Sequence, residues 1–365
     1  MQSGLLLVIV VVAALAFDFT NGFHDTANVV ASAISTRALA PRTAIALASL
    51  LNFAGAFISL KVAATIATGI IDAQQVTETI AFAGLIGAIV WNLITWAYGL
   101  PSSSSHALIG GVVGAMLAAV GGSGVNGTGI LTKVVIPAII APVAAFVAAG
   151  LLITVLYWGF GRRRPGAVSR GFRVGQVFSS SLLALSHGTN DAQKTMGVIT
   201  LALVAHGSLS ADHATVPAWV VICSATAISL GTYAGGWRII RTVGSRIIRM
   251  DAAQGFSAQS AGAVVILASS HFGYPLSSTH VISGGVMGAG AAKKLSAVRW
   301  GVAGSIVVAW IVTLPAAGLF GAGAYALASA FGNGVLGPLL ITVICLGALT
   351  TALATRHRRL AAAGA

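Results

Sequence analysis

Two acidic residues stand where acids are costly. Asp25 lies in the run NGFHDTANVV, which begins at Asn21, and Asp191 in HGTNDAQKTM, which begins at His187. Both runs are embedded in apolar sequence, and the 365-residue chain has only seven Asp and Glu in all. A carboxylate in such surroundings must be paired, protonated or bound to a cation. A helix-packing ion pair is the plain reading. A proton or cation site is the functional one, and the duplication of the motif favours it. The motif histidines His24, His106, His187 and His280 can carry protons near neutral pH.

A second pair of clusters points to an anion. SSSSH ends at His106 and SSTH at His280, each after a proline and before a glycine-rich run that reads as helix. Ser and Thr at a helix start satisfy free backbone N–H groups. Those N–H groups, the positive helix end and the hydroxyls together also make an anion site. Ser103, Ser104, Ser105, Ser277, Ser278 and Thr279 are the candidates, and two such caps brought face to face would suit a tetrahedral oxyanion such as phosphate. A bare Asp would repel that anion, whereas a cation or proton held by Asp25 and Asp191 removes the repulsion, so symport follows. Asn190 and Lys194 complete the phosphate candidates. Lys194 is three residues past Asp191 and can pair with it on a helix face or contact the anion directly.

The elements that carry these residues must lie in a membrane. The chain is 57% hydrophobic and 7% charged, with mean hydropathy +0.94, against about a quarter charged in a soluble domain. Eleven apolar segments can be counted, giving an all-α polytopic membrane protein of about 10–12 membrane segments. The net charge of +13 does not mark a nucleic-acid binder, because the Lys and Arg cluster in short loops between spans. By the positive-inside rule those loops are cytoplasmic. The N-terminus then lies outside and the C-terminus inside the plasma membrane. The loop 206–214, with Asp212, falls outside. Cys223 and Cys345 sit in apolar segments as packing residues, and residues 4–17 belong to the mature protein.

The chain also repeats itself. Asp25 aligns with Asp191, Gly22 with Gly188, His24 with Asn190, Asn28 with Lys194, and PSSSSHALIGGVVGA from Pro101 with PLSSTHVISGGVMGA from Pro275. An odd number of crossings per half makes the second copy inverted, the arrangement of secondary transporters with a site at the repeat interface. Residues 1–160 form the first repeat, 161–173 a basic cytoplasmic loop, 174–329 the second repeat, and 330–365 an extra helix and basic tail. Segments 4–35 and 175–205 would each be about 50 Å long if straight, too long for a core of about 30 Å, so breaks are expected at the polar motifs. The segments starting at His106 and His280 are short enough for re-entrant elements. Lys61 reads as deep in the second span, a snorkelling or gating residue. Asp18 faces Ala184 in the repeat alignment and reads as auxiliary.

At these motifs the sequence resembles the PiT family of inorganic phosphate transporters, from Asn21 to about Ala292. The resemblance implies a phosphate symporter driven by Na⁺ or H⁺, often a homodimer, with no cofactor. It implies that Asp25, Asn28, Asp191 and the residues around the two turns form the phosphate and cation sites. Sodium-coupled members look as though they carry Asn where this chain has Lys194, and the motif pairing looks more like proton-coupled bacterial members, some of which take metal–phosphate complexes. Two other functions compete. A sulfate permease would use the same scaffold, but sulfate cannot donate a hydrogen bond to Asp25 or Asp191 at neutral pH. An intramembrane Ser/His hydrolase needs one nucleophile and one base, whereas the Ser/His element here occurs twice.

Overall fold

The computed structural model describes residues 2–210, 215–332 and 334–363; residues 211–214, in the expected outer loop with Asp212, lie outside them. The first half folds as α1 (Gln2–Ser35), α2 (Pro41–Gly55), α3 (Lys61–Thr68), α4 (Glu78–Tyr98), α5 (Ser104–Val120) and the short α6 (Gly127–Ile130), which runs on into α7 (Ile136–Phe160). The second half follows as α8 (Pro165–Ala205), α9 (Ala218–Ala234), α10 (Trp237–Arg241), α11 (Ala252–His271), α12 (Ser278–Lys293) and α13 (Trp300–Ser329), with α14 (Leu336–Ala363) at the end.

Local chemistry sets the boundaries. Pro165 opens α8 at a position where no N–H is needed. Gly99, at φ +66°, closes α4 in the left-handed conformation. At α11 the Gln254 N–H donates to Asp251 Oδ1 at 2.9 Å, and the Asp251 N–H donates back to Gln254 Oε1 at 3.0 Å, a reciprocal cap. Asp251→Ala is expected to lower stability by about 1 kcal/mol, read as a reduced melting temperature in detergent. An unchanged melting temperature would mean the cap contributes nothing.

Helix packing repeats across the two halves. α5 lies on α13 and α12 on α7; α1 lies on α9 and α8 on α2; α1 meets α4 as α8 meets α11. Glycines set the closest of these approaches. A Cβ at Gly22 would strike the Ile228 carbonyl of α9, and one at Gly188 would strike Asn52 of α2. The motif helices α1 and α8 run in opposite directions. Thr36, just past the end of α1, donates to Gln176 of α8 at 2.5 Å, and Ser180 donates to the Val29 carbonyl at 3.5 Å, so the later α8 residue meets the earlier residue of the α1 segment.

Apolar clusters flank the polar centre. One includes Phe17, Phe82, Met116 and Met196; the other includes Val29, Leu183, Val243 and Val286. The residues between Phe17 and Val29, and between Leu183 and Met196, hold the two motifs. Outward faces stay apolar, with Leu319 77% and Trp158 90% exposed, as lipid-facing surfaces do.

One expectation changes. Helix α1 continues through Asn21–Asn28 and α8 through His187–Lys194 without interruption. The polar side chains bond sideways or back along their own helix, Thr26 to the Gly22 carbonyl at 2.6 Å and Thr189 to the Leu185 carbonyl at 2.8 Å, so the backbone ladder survives. The breaks fall one helix later, at Ala56–Leu60 between α2 and α3 and at Gly235–Gly236 between α9 and α10, where Gly235 takes φ +71° and the chain bends by 60°. Lys61 is exposed at the start of α3, just before Val62 and Ala63, whose N–H groups donate to Gln193 Oε1 of α8 at 2.8 and 3.2 Å. Among the described residues five helices are long and apolar enough to cross a membrane alone, six if α9 and its bent continuation count as one span. One of the five, Ser104–Gly124, contains α5 and has 21 residues. Of the other expected segments, α2 and α12 are short and α8 carries the polar run from His187 to Lys194.

Candidate functional site

The two serine-bearing turns meet the two aspartates at the centre of the molecule. Each turn is pinned by its own cap. The His106 N–H donates to Ser103 Oγ at 3.1 Å and the His280 N–H to Ser277 Oγ at 3.3 Å. These two hydroxyls are spent on the helix starts, as the capping reading anticipated. The next residues in each turn face inward.

Around Asp25 the partners come from both halves. His24 Nδ1 lies 2.7 Å from Asp25 Oδ1, while His24 Nε2 faces Thr95 Oγ1 at 3.2 Å and Ser102 Oγ at 3.4 Å. Ser104 Oγ lies 3.4 Å from His24 Nδ1. Thr279 donates to Asp25 Oδ1 at 3.4 Å, and Asn28 Nδ2 donates to Thr279 Oγ1 at 2.9 Å and Ser278 Oγ at 3.3 Å. Thus α1 is tied to the start of α12.

Around Asp191 the pattern is tighter. Lys194 Nζ donates to Asp191, to Ser105 Oγ at 2.5 Å and to the Leu276 carbonyl at 2.7 Å. Those bonds use all three donors of the ammonium. Ser105 Oγ also donates to the Leu276 carbonyl at 3.1 Å. One lysine therefore joins α8, the first turn and the second turn. His187 Nε2 lies 2.9 Å from the other oxygen of Asp191.

Ser278 stands between the acids. Its Oγ is 3.4 Å from Asp25 Oδ2 and 3.2 Å from Asp191 Oδ2. One hydroxyl proton cannot serve both carboxylates at once. Asp25, His187 and Asp191 each offer a ligand atom, all within 4.8 Å of one another, a spacing that fits a single cation. The site is closed, with Asp25 2%, Lys194 1% and Asp191 0% exposed. A buried cluster of two acids needs the positive charge that Lys194 and the histidines bring, or a bound cation.

The structure thus brings together Asp25, His24, Asn28, Asp191, Lys194, Ser104, Ser105, Ser278 and Thr279. Asn190 turns away. Its amide donates to Ser270 Oγ at 2.9 Å and the Tyr274 carbonyl at 3.2 Å, both at the end of α11. His187 belongs with Asp191, and its spacing of four residues is the signal that places it on the same helix face. Thr95 and the Leu276 carbonyl carry no sequence signal of their own, whereas Ser102 opens the SSSSH cluster. His106 and His280 pack ring to ring at 4.7 Å, with His280 stacked on Trp310 at 4.1 Å, so they brace the two helix starts from behind.

Comparison with known proteins adds the following. Residues 21–321 match the family described as "Phosphate transporter family". A "Probable low-affinity inorganic phosphate transporter" of Mycobacterium bovis is 55% identical over 90% of this chain and 79% of its own length. One of the same description from Rhizobium meliloti is 50% identical over 88% of this chain and 96% of its own. A solved structure titled "The sodium-dependent phosphate transporter" superposes with a TM-score of 0.84 at 25% identity, covering 89% of this chain and 99% of that one.

Proposed function

The chain belongs to the phosphate transporter family, and from that premise we propose that it imports inorganic phosphate by symport with a proton across the plasma membrane. It is a multi-pass membrane transporter, not an enzyme. In this reading residues 1–160 and 174–329 are inverted repeats, 161–173 is a cytoplasmic loop, and 330–365 is an added helix and tail. The N-terminus faces outside, the C-terminus faces the cytoplasm, and two copies form a homodimer.

The observation that carries the reading is the placement of Ser278 between Asp25 and Asp191. Phosphate at neutral pH still holds a proton and can donate to a carboxylate acceptor, whereas sulfate holds none. Hydroxyls of Ser104, Ser105, Ser278 and Thr279, with the N-termini of α5 and α12, supply donors to the remaining oxygens. Lys194 already places a fixed positive charge on Asp191, where a sodium ion would otherwise compensate it. That disfavours Na⁺ at the second-copy acid and leaves the proton as the coupling ion. Cargo in the form of a metal–phosphate complex is compatible with the Asp25, His187 and Asp191 spacing.

A Ser–His–Asp hydrolase would need Ser102 to address His24. Ser102 Oγ lies 3.4 Å from His24 Nε2 but donates to Thr95 Oγ1 at 2.8 Å, and the family is one of transporters.

Labelled phosphate uptake into proteoliposomes tests the reading, with pH and Na⁺ gradients imposed separately. An inward proton gradient is expected to drive accumulation, Na⁺ removal to leave it unchanged, and excess sulfate to compete poorly. A strict Na⁺ requirement would reassign the coupling ion. Sulfate competing as well as phosphate would reassign the anion.

A further inference from the structure

One buried acid is unused by this site. Asp18 lies on α1 about two helical turns before Asp25 and is 0% exposed, and neither of its carboxylate oxygens has a hydrogen-bond partner. Thr195 of α8 is close enough to interact with it but not in bonding geometry, and the Thr195 hydroxyl is itself buried without a partner. Among the described residues the charged groups that act on Asp18 are Asp191 and Lys194, both on α8. None acts on it from α4, α9 or α2, which also pack against α1. Lys194 gives it no hydrogen bond, because its three donors are taken by Asp191, Ser105 and Leu276, and its single charge is paired with Asp191.

A fully buried carboxylate without a bonded donor or a counter-ion of its own is strongly unfavourable as an anion. A sodium ion would need five or six oxygens around it; Asp18 and Thr195 supply three, and Asn21 Oδ1, three residues along α1, is also buried without a partner. A proton needs one. The repeat sharpens the point. The position opposite Asp18 in the second copy is Ala184, packed in the apolar cluster with Leu183. The acid therefore exists on one side of an otherwise duplicated centre, on the side of the α1 N-terminus and the α8 C-terminus.

We propose that Asp18, facing Thr195, is a dedicated proton-carrying site, separate from the Asp25–Asp191 centre, that takes up one proton from the outer compartment and releases it inside in each transport cycle. The proposal rests on the proton–phosphate symport reading and names where the coupling proton rides.

The test uses purified protein in proteoliposomes and two assays side by side. Phosphate–phosphate exchange at equal pH needs binding and reorientation but no net proton movement. Accumulation driven by an imposed pH gradient needs both. Asp18→Asn, a neutral isostere of the protonated acid, is expected to keep exchange near the wild-type rate while pH-driven accumulation falls about tenfold or more. Asp18→Glu, which restores a proton carrier, is expected to recover most of the accumulation. Undiminished pH-driven accumulation in Asp18→Asn overturns the proposal. So does loss of exchange together with accumulation in both variants, which would make Asp18 part of the framework. A defect in Asp18→Asn confined to Na⁺-driven uptake overturns it in favour of a sodium ion. Wild-type protein with no phosphate exchange at all would instead overturn the phosphate reading, and this proposal with it.

Discussion

Asp191→Asn is expected to reduce phosphate uptake in proteoliposomes by about two orders of magnitude or more. The carboxylate is fully buried and holds three groups at once: Lys194 through one oxygen, and His187 and Ser278 through the other. Removing one partner of a buried pair costs about 3–5 kcal/mol, since the other charge is left uncompensated, and each 1.4 kcal/mol is about tenfold. An amide also offers an N–H where phosphate needs an acceptor. Asp25→Asn is expected to give a comparable loss, because Asp25 receives Thr279 and pairs with His24. Size-exclusion profiles in detergent separate folding failure from lost transport. In a folded protein, wild-type uptake by either variant would remove the aspartates from the coupling mechanism.

Why both aspartates matter was readable from residue type and repetition, while much of their company was not. An acid in an apolar run announces a constraint, and its recurrence in a second copy makes that constraint part of the plan. The same logic located both Ser/Thr turns, and Ser278 and Thr279 do reach Asp25. Other contacts had no signal to read. The Leu276 carbonyl that receives Lys194 is backbone, present at every position. Thr95 reaches His24 only because α4 packs beside α1.

Asn190 shows how a correct alignment can still mislead. It matches His24 in the repeat, and each sits beside its aspartate. Adjacent residues on a helix point about 100° apart, so when Asp25 and Asp191 face the centre their neighbours turn sideways. His24 turns toward Thr95 on α4 and Asn190 toward Ser270 on α11. The pairing is faithful and the contacts differ, because His24 still reaches Asp25 through Nδ1 whereas Asn190 Nδ2 donates to Ser270 and the Tyr274 carbonyl. The expected helix breaks failed for a related reason. Length argued for an interruption, but small residues and sideways hydrogen bonds let α1 and α8 pass straight through, and the neighbouring hairpins took up the irregularity.

The second large effect belongs to Lys194. Lys194→Asn restores the residue type of its repeat partner Asn28 and removes the ammonium from Asp191. In Na⁺-free buffer uptake is expected to fall by about a hundredfold, in line with an unpaired buried carboxylate. The loss has two physical parts. One is mechanical, because the lysine is the joint between Ser105 and the Leu276 carbonyl, and hence between the two turns. The other is electrostatic, because Asp191 loses its fixed counter-charge. Added Na⁺ separates them. A free cation can replace the charge beside Asp191, with His187 and Asp25 within 4.8 Å to help hold it, but it cannot rebuild the joint. Partial recovery that appears only with Na⁺ would identify the ammonium as a tethered stand-in for a coupling ion. If Na⁺ changes nothing while the variant remains folded, Lys194 acts as a structural tie, and the preference for proton coupling loses its electrostatic basis.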